Sequence, residues 1–271
     1  MIISTRIRWR KSSFIAHLIC LIFFLSFSAV AQQKEIVIDA DLAAHAEKMK
    51  VKMGTQWMGK IFKFKFGDYA VTDSKNGWAT TTSSSKFFSS KVESQSNQEF
   101  SFTLSDKTDD KAIVNAATAM STEELQSYIV FSNFSVGSDE LLRSSQNFSA
   151  FISTLSNEDD SWVLVKSLEV GSQADYDFKA FLTNQDRTIN ILQTTSNKNG
   201  EDTRSIPAKG YEFVENGKAL CAMQYYGGGM LGMNKNIIWL RSELGSREKL
   251  ILAAAMTALL QVDVTTMADL D

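Results

Sequence analysis

Along most of the chain apolar residues alternate with polar ones in steps of two. Phe62, Phe64 and Phe66 are separated by Lys63 and Lys65, and the same step returns in Phe100, Phe102 and Leu104. It returns again in Tyr176, Phe178, Ala180 and Leu182, with Asp177 and Lys179 between them. A two-residue period puts the rings on one face of an extended strand and the charges on the other. Further strands are predicted at "SYIVF", "SAFIS", "SWVLVKSLEV", "INILQ", "GYEFVE", "KALCAMQYY" and "NIIWLR", which makes about ten short β segments. Asn76-Gly77, Asn199-Gly200 and Asn216-Gly217 each supply the positive φ angles of a two-residue hairpin, and "TNQDRT" joins "YDFKAFL" to "INILQ". "TTTSSSKFFSSK" reads as edge strand or loop, since threonine favours strands and Trp78, Phe87 and Phe88 flank and interrupt the run.

Two segments depart from this period. From Asp39 to Val51, Leu42, His45, Ala46 and Met49, followed by Met53, recur at three- and four-residue steps. That spacing predicts a short amphipathic helix with Asp39 as its cap. At the other end, Leu250 to Leu260 contains one polar residue, Thr257. A helix over 247–262, with Ser246 as cap and Glu248 in the first turn, would be about 24 Å long and would have no wet face. It is too short and too alanine-rich for a membrane span, so it belongs in an interior, on the concave side of the preceding strands. The expected fold is mainly β, an antiparallel barrel or sandwich with a short N-terminal amphipathic helix and a buried hydrophobic C-terminal helix. One β-rich domain is expected over 32–271.

The hairpin "GYEFVENGKALCAMQYY", the last strand "NKNIIWLR" and the apolar "SREKLILAAAMTALL" together resemble the closing segment of the tubby-like and phospholipid-scramblase-like barrels. The resemblance covers mainly Gly210 to Leu260 and implies a β-barrel wrapped around a hydrophobic terminal helix. Tubby domains bind phosphoinositide headgroups through basic residues, and no basic cluster here carries that property over.

Met1 to Ala31 has the three parts of a secretory signal peptide. Arg6, Arg8, Arg10 and Lys11 form the positive end, Phe14 to Phe27 the apolar run, and Ala29-Val30-Ala31 the cleavage site ahead of Gln32. Cleavage after Ala31 predicts an exported protein, periplasmic or extracellular. Removing the four signal cations from 28 Lys+Arg leaves 24 against 31 Asp+Glu, a net charge of −7. That balance excludes nucleic acid as a natural partner. Cys221 alone remains in the mature chain, so no internal disulfide is available, and its neighbours in "ALCAMQYY" predict a buried, inert thiol.

Catalytic motifs are sparse. Gly227, Gly229 and Gly232 satisfy G-x-G-x-x-G, but the strand "NIIWLR" follows where a phosphate-binding helix would have to start. No cofactor is expected. With His17 in the signal segment, His45 is the one histidine left, with Asp41 four residues earlier on the same helical face. No serine lies in a nucleophile elbow, and imidazole and thiolate ligands are too few for a zinc site. The acidic runs "SDKTDD" (Ser105 to Asp110) and "NEDDSW" (Asn157 to Trp162) lack calcium-loop spacing and read as solvated hairpin tips.

Rings remain as binding candidates. Trp57, Trp78, Phe87, Phe88, Tyr225 and Tyr226 could face a cleft for sugar or lipid, although core packing accounts for most large rings. Tyr225 and Tyr226 are the chosen pair, since they adjoin the glycine loop and adjacent strand residues face opposite ways. The sequence therefore favours a binding or structural protein of the cell envelope over an enzyme, with an envelope protein, a glycan or a lipid as partner. The competing classes are a carboxylate-dependent hydrolase acting on a polysaccharide and a lipid-contacting protein whose terminal helix swings out.

Overall fold

The apolar terminal segment is the axis about which the strands are arranged. The computed structural model describes residues 35–54, 63–85, 91–108, 110–125, 128–131, 134–136, 140–171, 176–197, 200, 206–229 and 234–268. The expected signal segment, Trp57, Phe62, Phe87, Phe88 and most of 198–205 lie outside the described residues.

Helix α1 is Ala40–His45. Strands follow as β1 (Ala46–Lys50), β2 (Lys52–Met53), β3 (Phe64–Phe66), β4 (Tyr69–Ser85), β5 (Lys91–Ser105) and β6 (Lys111–Leu125). A separate two-stranded sheet is formed by β7 (Tyr128–Phe131) and β8 (Phe134–Val136). The main sheet resumes with β9 (Glu140–Thr154), β10 (Asn157–Gly171), β11 (Tyr176–Thr183) and β12 (Thr188–Thr195). It ends with β13 (Lys209–Glu215), β14 (Lys218–Tyr226) and β15 (Ile237–Arg241), ahead of helix α2 (Ser246–Ala268).

Thirteen strands form one antiparallel sheet in the order β1-β15-β14-β13-β12-β11-β10-β9-β6-β5-β4-β3-β2. The two ends of that order are consecutive in the chain. β1 pairs with β15 through Ala46↔Arg241 to Lys50↔Ile237, and β2 pairs with β3 through Lys52↔Lys65. One extended segment, 46–53, thus touches both edges of the sheet and brings it to a nearly closed barrel. Near-closure removes most of the exposed edge that an open sheet would carry.

Inside runs α2. Leu250 to Asp263 are all buried along it, against inward side chains such as Phe102, Val114, Phe148, Ile152, Leu164 and Met223. A helix apolar on every side needs such an enclosure, and the alternating strands supply it. Thr257 is accommodated by donating its hydroxyl to Ala253 O at 2.7 Å. On the outside of β13–β15, Ile36, Leu42, Ala219, Ala222 and Trp239 make a second small core with the N-terminal segment and α1. That outer layer explains why those strands are buried on both faces.

Several expectations are corrected. The helix predicted over Asp39–Val51 ends at His45, and 46–50 is strand. Asp39 does cap it, accepting the N–H groups of Asp41 and Leu42 at 2.9 and 3.1 Å. Met49 and Val51 are buried while Lys48 and Lys50 are exposed, so "KMKVKM" follows the two-residue step and pairing with β15 decides. The strands are neither ten nor uniformly short: fifteen occur among the described residues, and β4, β5, β6, β9 and β10 run for 15 to 17 residues.

Asn76-Gly77 lies within β4 at a ladder irregularity, not at a hairpin. A Cβ on Gly77 would sit 2.8 Å from Glu99 Cβ, which is why glycine fits there. Asn216-Gly217 is the β13–β14 turn, with φ of 49° and 79°. Ser105 to Asp110 spans the β5–β6 turn, where Asp106 accepts the Thr108 N–H at 2.8 Å. "NEDDSW" is different: it forms the first part of β10 beside a register shift. The terminal helix begins at Ser246 itself, with the Lys249 N–H donating to Gly245 O at 3.0 Å, and it continues to Ala268.

Candidate functional site

The two ends of α2 meet different surroundings. At its first turn, Glu248 accepts from Arg187 at 2.5 Å, and Arg187 also clamps Glu215 with two bonds of 2.8 and 2.7 Å. The guanidinium lies 5.6 Å from the Trp162 ring. A planar fork engaged on both sides holds the turn between β11 and β12 to β13 and to the helix. Glu215 is held below the usual carboxylate range, chiefly by its bonds to Arg187.

After thirteen buried residues without a charge, Leu250 to Val262, the helix presents Asp263. Asp263 is 7% exposed and Lys166 on β10 is 3% exposed. The Lys166 ammonium donates to Asp263 Oδ1 and lies 5.5 Å from the centre of the Tyr211 ring. Asp263 Oδ2 is buried without a well-aligned donor, with the Tyr211 hydroxyl as a weaker partner of the carboxylate. A buried carboxylate oxygen left in that state is costly, by about 1–3 kcal/mol.

Beside this pair is a cavity of about 470 Å³, within the range that suits a small molecule. Its wall is built from neighbouring strands in register. Gln146 comes from β9, Lys166 and Leu168 from β10, Tyr176 from β11, Gln193 to Thr195 from β12, Lys209 to Tyr211 from β13 and Tyr225 from β14, with Asp263 from the helix. Glycine is required at 210, because a Cβ there would lie 2.1 Å from Met223 O. Tyr211 stacks on Tyr225 at 5.1 Å and on Phe178 at 5.7 Å. Burial, and then the Asp263 charge, push both phenols above the ordinary tyrosine value. Their hydroxyls therefore stay protonated and able to donate.

One side of the wall is thin. β11 pairs with β10 along its whole length, from Val163↔Thr183 to Val170↔Tyr176, but with β12 only through Phe181↔Asn190, Leu182↔Ile189 and Thr183↔Thr188. Between the start of β11 and the end of β12 the ladder is open. The Tyr176 hydroxyl and the Gln193 amide, 2.7 Å apart at Oε1, span that seam.

Of the two tyrosines predicted, Tyr225 lines the cavity and Tyr226 does not. Tyr226 is half-buried against the core with Lys209 Nζ 5.7 Å from its ring centre. Trp78 falls in β4. Lys166, Asp263, Tyr211 and Tyr176 were missed in the sequence, where 97 positions separate Lys166 from Asp263. The one available signal was Asp263, the first charge after the apolar run that starts at Leu250.

Other candidates sit elsewhere. His45 and Asp41 are both exposed on α1, with Nδ1 2.9 Å from Oδ1, and the Asp41 Oδ2 accepts from buried Arg241 at 2.6 Å. Cys221 is fully buried and its thiol is pushed well above its usual value, first by burial. The glycine loop connects β14 to β15: Gly227 and Gly228 have φ of 66° and 72°, and the Gly227 N–H donates to Asn234 Oδ1 at 2.9 Å. Glu93 and Glu123 are directly opposed on β5 and β6 at a second cavity of about 300 Å³, which Arg143 also lines. Arg143 donates to Glu169 at 2.8 Å. The carboxyls of Glu35, Asp41 and Glu215 are all displaced downward, the opposite of what a general acid for glycoside hydrolysis requires. No group of three or more metal-ligating side chains occurs among the described residues, nor does any described helix qualify as a membrane span.

Compared with protein-family models, with curated proteins and with solved structures, the chain has no match.

Proposed function

We propose that this chain is an exported, non-enzymatic binding protein of the cell envelope that holds a small ligand at the C-terminal end of α2. The observation that carries this is a ligand-sized cavity walled by tyrosines and glutamines, with the buried Lys166–Asp263 ion pair at its side. Buried charges away from any cavity are normally satisfied on all sides. A buried ion pair set beside an open volume suits a site for a polar ligand. The tyrosines supply apolar area and neutral donors around it. Export rests on the segment Met1 to Ala31, and the likeness to tubby-like barrels on the pattern of strands closing around a terminal helix.

A ligand that binds only the folded chain raises its melting temperature by mass action. A thermal-shift screen of mixed small molecules, run on the mature chain and on Leu168→Trp, tests the proposal. Leu168 is half-buried on the wall, and the larger indole narrows the cavity while leaving both members of the ion pair in the chain. Compounds that stabilise the wild type and lose that effect in Leu168→Trp are expected. Equal shifts in both proteins, or none in either, would overturn the assignment.

A further inference from the structure

The charges around the cavity do not balance. Lys166 and Asp263 offset each other, and Lys209 is the one further charged group among the lining residues, so the wall carries a surplus of one positive charge. We infer that the site takes an amphipathic monocarboxylic acid, its carboxylate received by Lys209 and Thr195 and its apolar body lying against Leu168 and the tyrosine rings. The inference rests on the binding function proposed above and names the ligand class.

Strand register sets the two donors side by side. Thr195 on β12 is directly opposite Lys209 on β13, which puts both side chains on one face of the sheet with Cβ atoms about 4.5–5.5 Å apart. Lys209 forms no ion pair with any described residue, and its ammonium rests 5.7 Å from the centre of the Tyr226 ring. Thr195 Oγ1 accepts the Asn197 N–H at 3.3 Å, and its own hydroxyl hydrogen has no acceptor among the described residues. An ammonium and a neighbouring hydroxyl supply one donor to each oxygen of a single carboxylate. A phosphate dianion would exceed the surplus charge, and an amine would add a like charge beside Lys209.

The rest of the wall suits an apolar body. Tyr211 and Tyr225 stack at 5.1 Å, and with half-buried Leu168 they offer ring and alkyl surface to the same volume. Lys209 is exposed, so a carboxylate held there keeps part of its hydration and escapes most of the cost of burying a charge. Affinity then comes from the body leaving water, and the choice among headgroups from Lys209.

The test is calorimetric titration of the mature chain with phenylbutyrate, phenylbutanol and phenylbutylamine, which share ring and chain and differ only in the charge of the head. Attraction of the acid and repulsion of the amine are each worth up to about fivefold at a partly solvated site, so wild-type protein should bind the acid about tenfold or more tightly than the amine, with the alcohol between them. In Lys209→Met the three affinities should fall within about twofold of one another, with the alcohol unchanged, since the remaining lining charges cancel. Raising the ionic strength should narrow the wild-type gap in the same direction. Because Lys209 is exposed, its replacement leaves the core intact, and the wild-type series stands without it. An amine or an alcohol that binds as tightly as the acid would overturn the inference, as would an acid preference that survives Lys209→Met or a failure of the acid to bind. If the acid fails but the thermal-shift screen yields other compounds that depend on Leu168, the binding function stands and the carboxylate class falls; if the screen is empty too, both fall.

Discussion

The two ends of α2 hold charge in different surroundings. At the first turn, Arg187 bonds Glu215 twice and Glu248 once. All three groups retain some contact with water, at 38%, 16% and 26% side-chain exposure. At the far end, Lys166 and Asp263 are 3% and 9% exposed by the same measure, and the second carboxylate oxygen lacks a well-aligned donor. The first arrangement is a clamp that tolerates small errors because solvent can make them good. The second has no such margin, and apolar side chains of similar shape would often serve stability as well or better. A buried pair of this kind is weak evidence for a stabilising role.

The largest effect is expected at the second site. Lys166→Met strands Asp263 as an uncompensated buried charge and should cost about 3–5 kcal/mol. Lys166→Met combined with Asp263→Leu should recover most of that loss while removing binding of any ligand found in the thermal-shift screen. Denaturant unfolding of the single and double variants measures this directly. A double variant as unstable as the single one would show that the pair is a structural requirement of the barrel.

That pair was also the part of the molecule least visible in the sequence. The helix could be anticipated because an apolar run with one threonine has only an interior to go to. Its enclosure by strands followed from the alternation at Phe100 to Leu104 and Tyr176 to Leu182. The length of β4, β5 and β6 could not be read the same way, since residues such as Thr80 to Ser83 and Glu93 to Glu99 are polar at nearly every position and only pairing with the next strand extends the ladder. The Asp39–Val51 prediction failed where two periods coincided: Met49 satisfies a four-residue step from His45 and a two-residue step to Val51. Tyr225 was within reach because it adjoins a glycine loop. Asp263 and Lys166 are joined only by the closure of the barrel.

A smaller loss is expected at the clamp. Arg187→Met should cost about 1–2 kcal/mol, less than the buried site because the arginine is partly solvated. The same variant changes the response to acid. The folded-state carboxyl of Glu215 lies below its ordinary value because of Arg187. Its contribution is therefore complete above the unfolded pKa of about 4.3 and is lost as the pH falls through the lower folded value. Between neutrality and strong acid, wild-type protein should lose more stability than Arg187→Met, which has already given up that contribution. Parallel acid-titration slopes for the two proteins would place the stabilisation elsewhere.

The smallest stability effect and the most specific kinetic one belong to the seam between β11 and β12. Tyr176 is 55% exposed, so removing its hydroxyl leaves no buried group unsatisfied, and Tyr176→Phe should change stability by less than about 0.5 kcal/mol. The hydroxyl nevertheless spans the place where backbone pairing stops, and Gln193 on the opposite side lines the cavity. If a ligand passes through this opening, loss of the latch should raise its association and dissociation rates together, leaving the equilibrium constant nearly unchanged. Stopped-flow binding of a screened compound distinguishes this from a direct contact. A change confined to the dissociation rate would mean that Tyr176 touches the ligand and that the seam is only a thin wall.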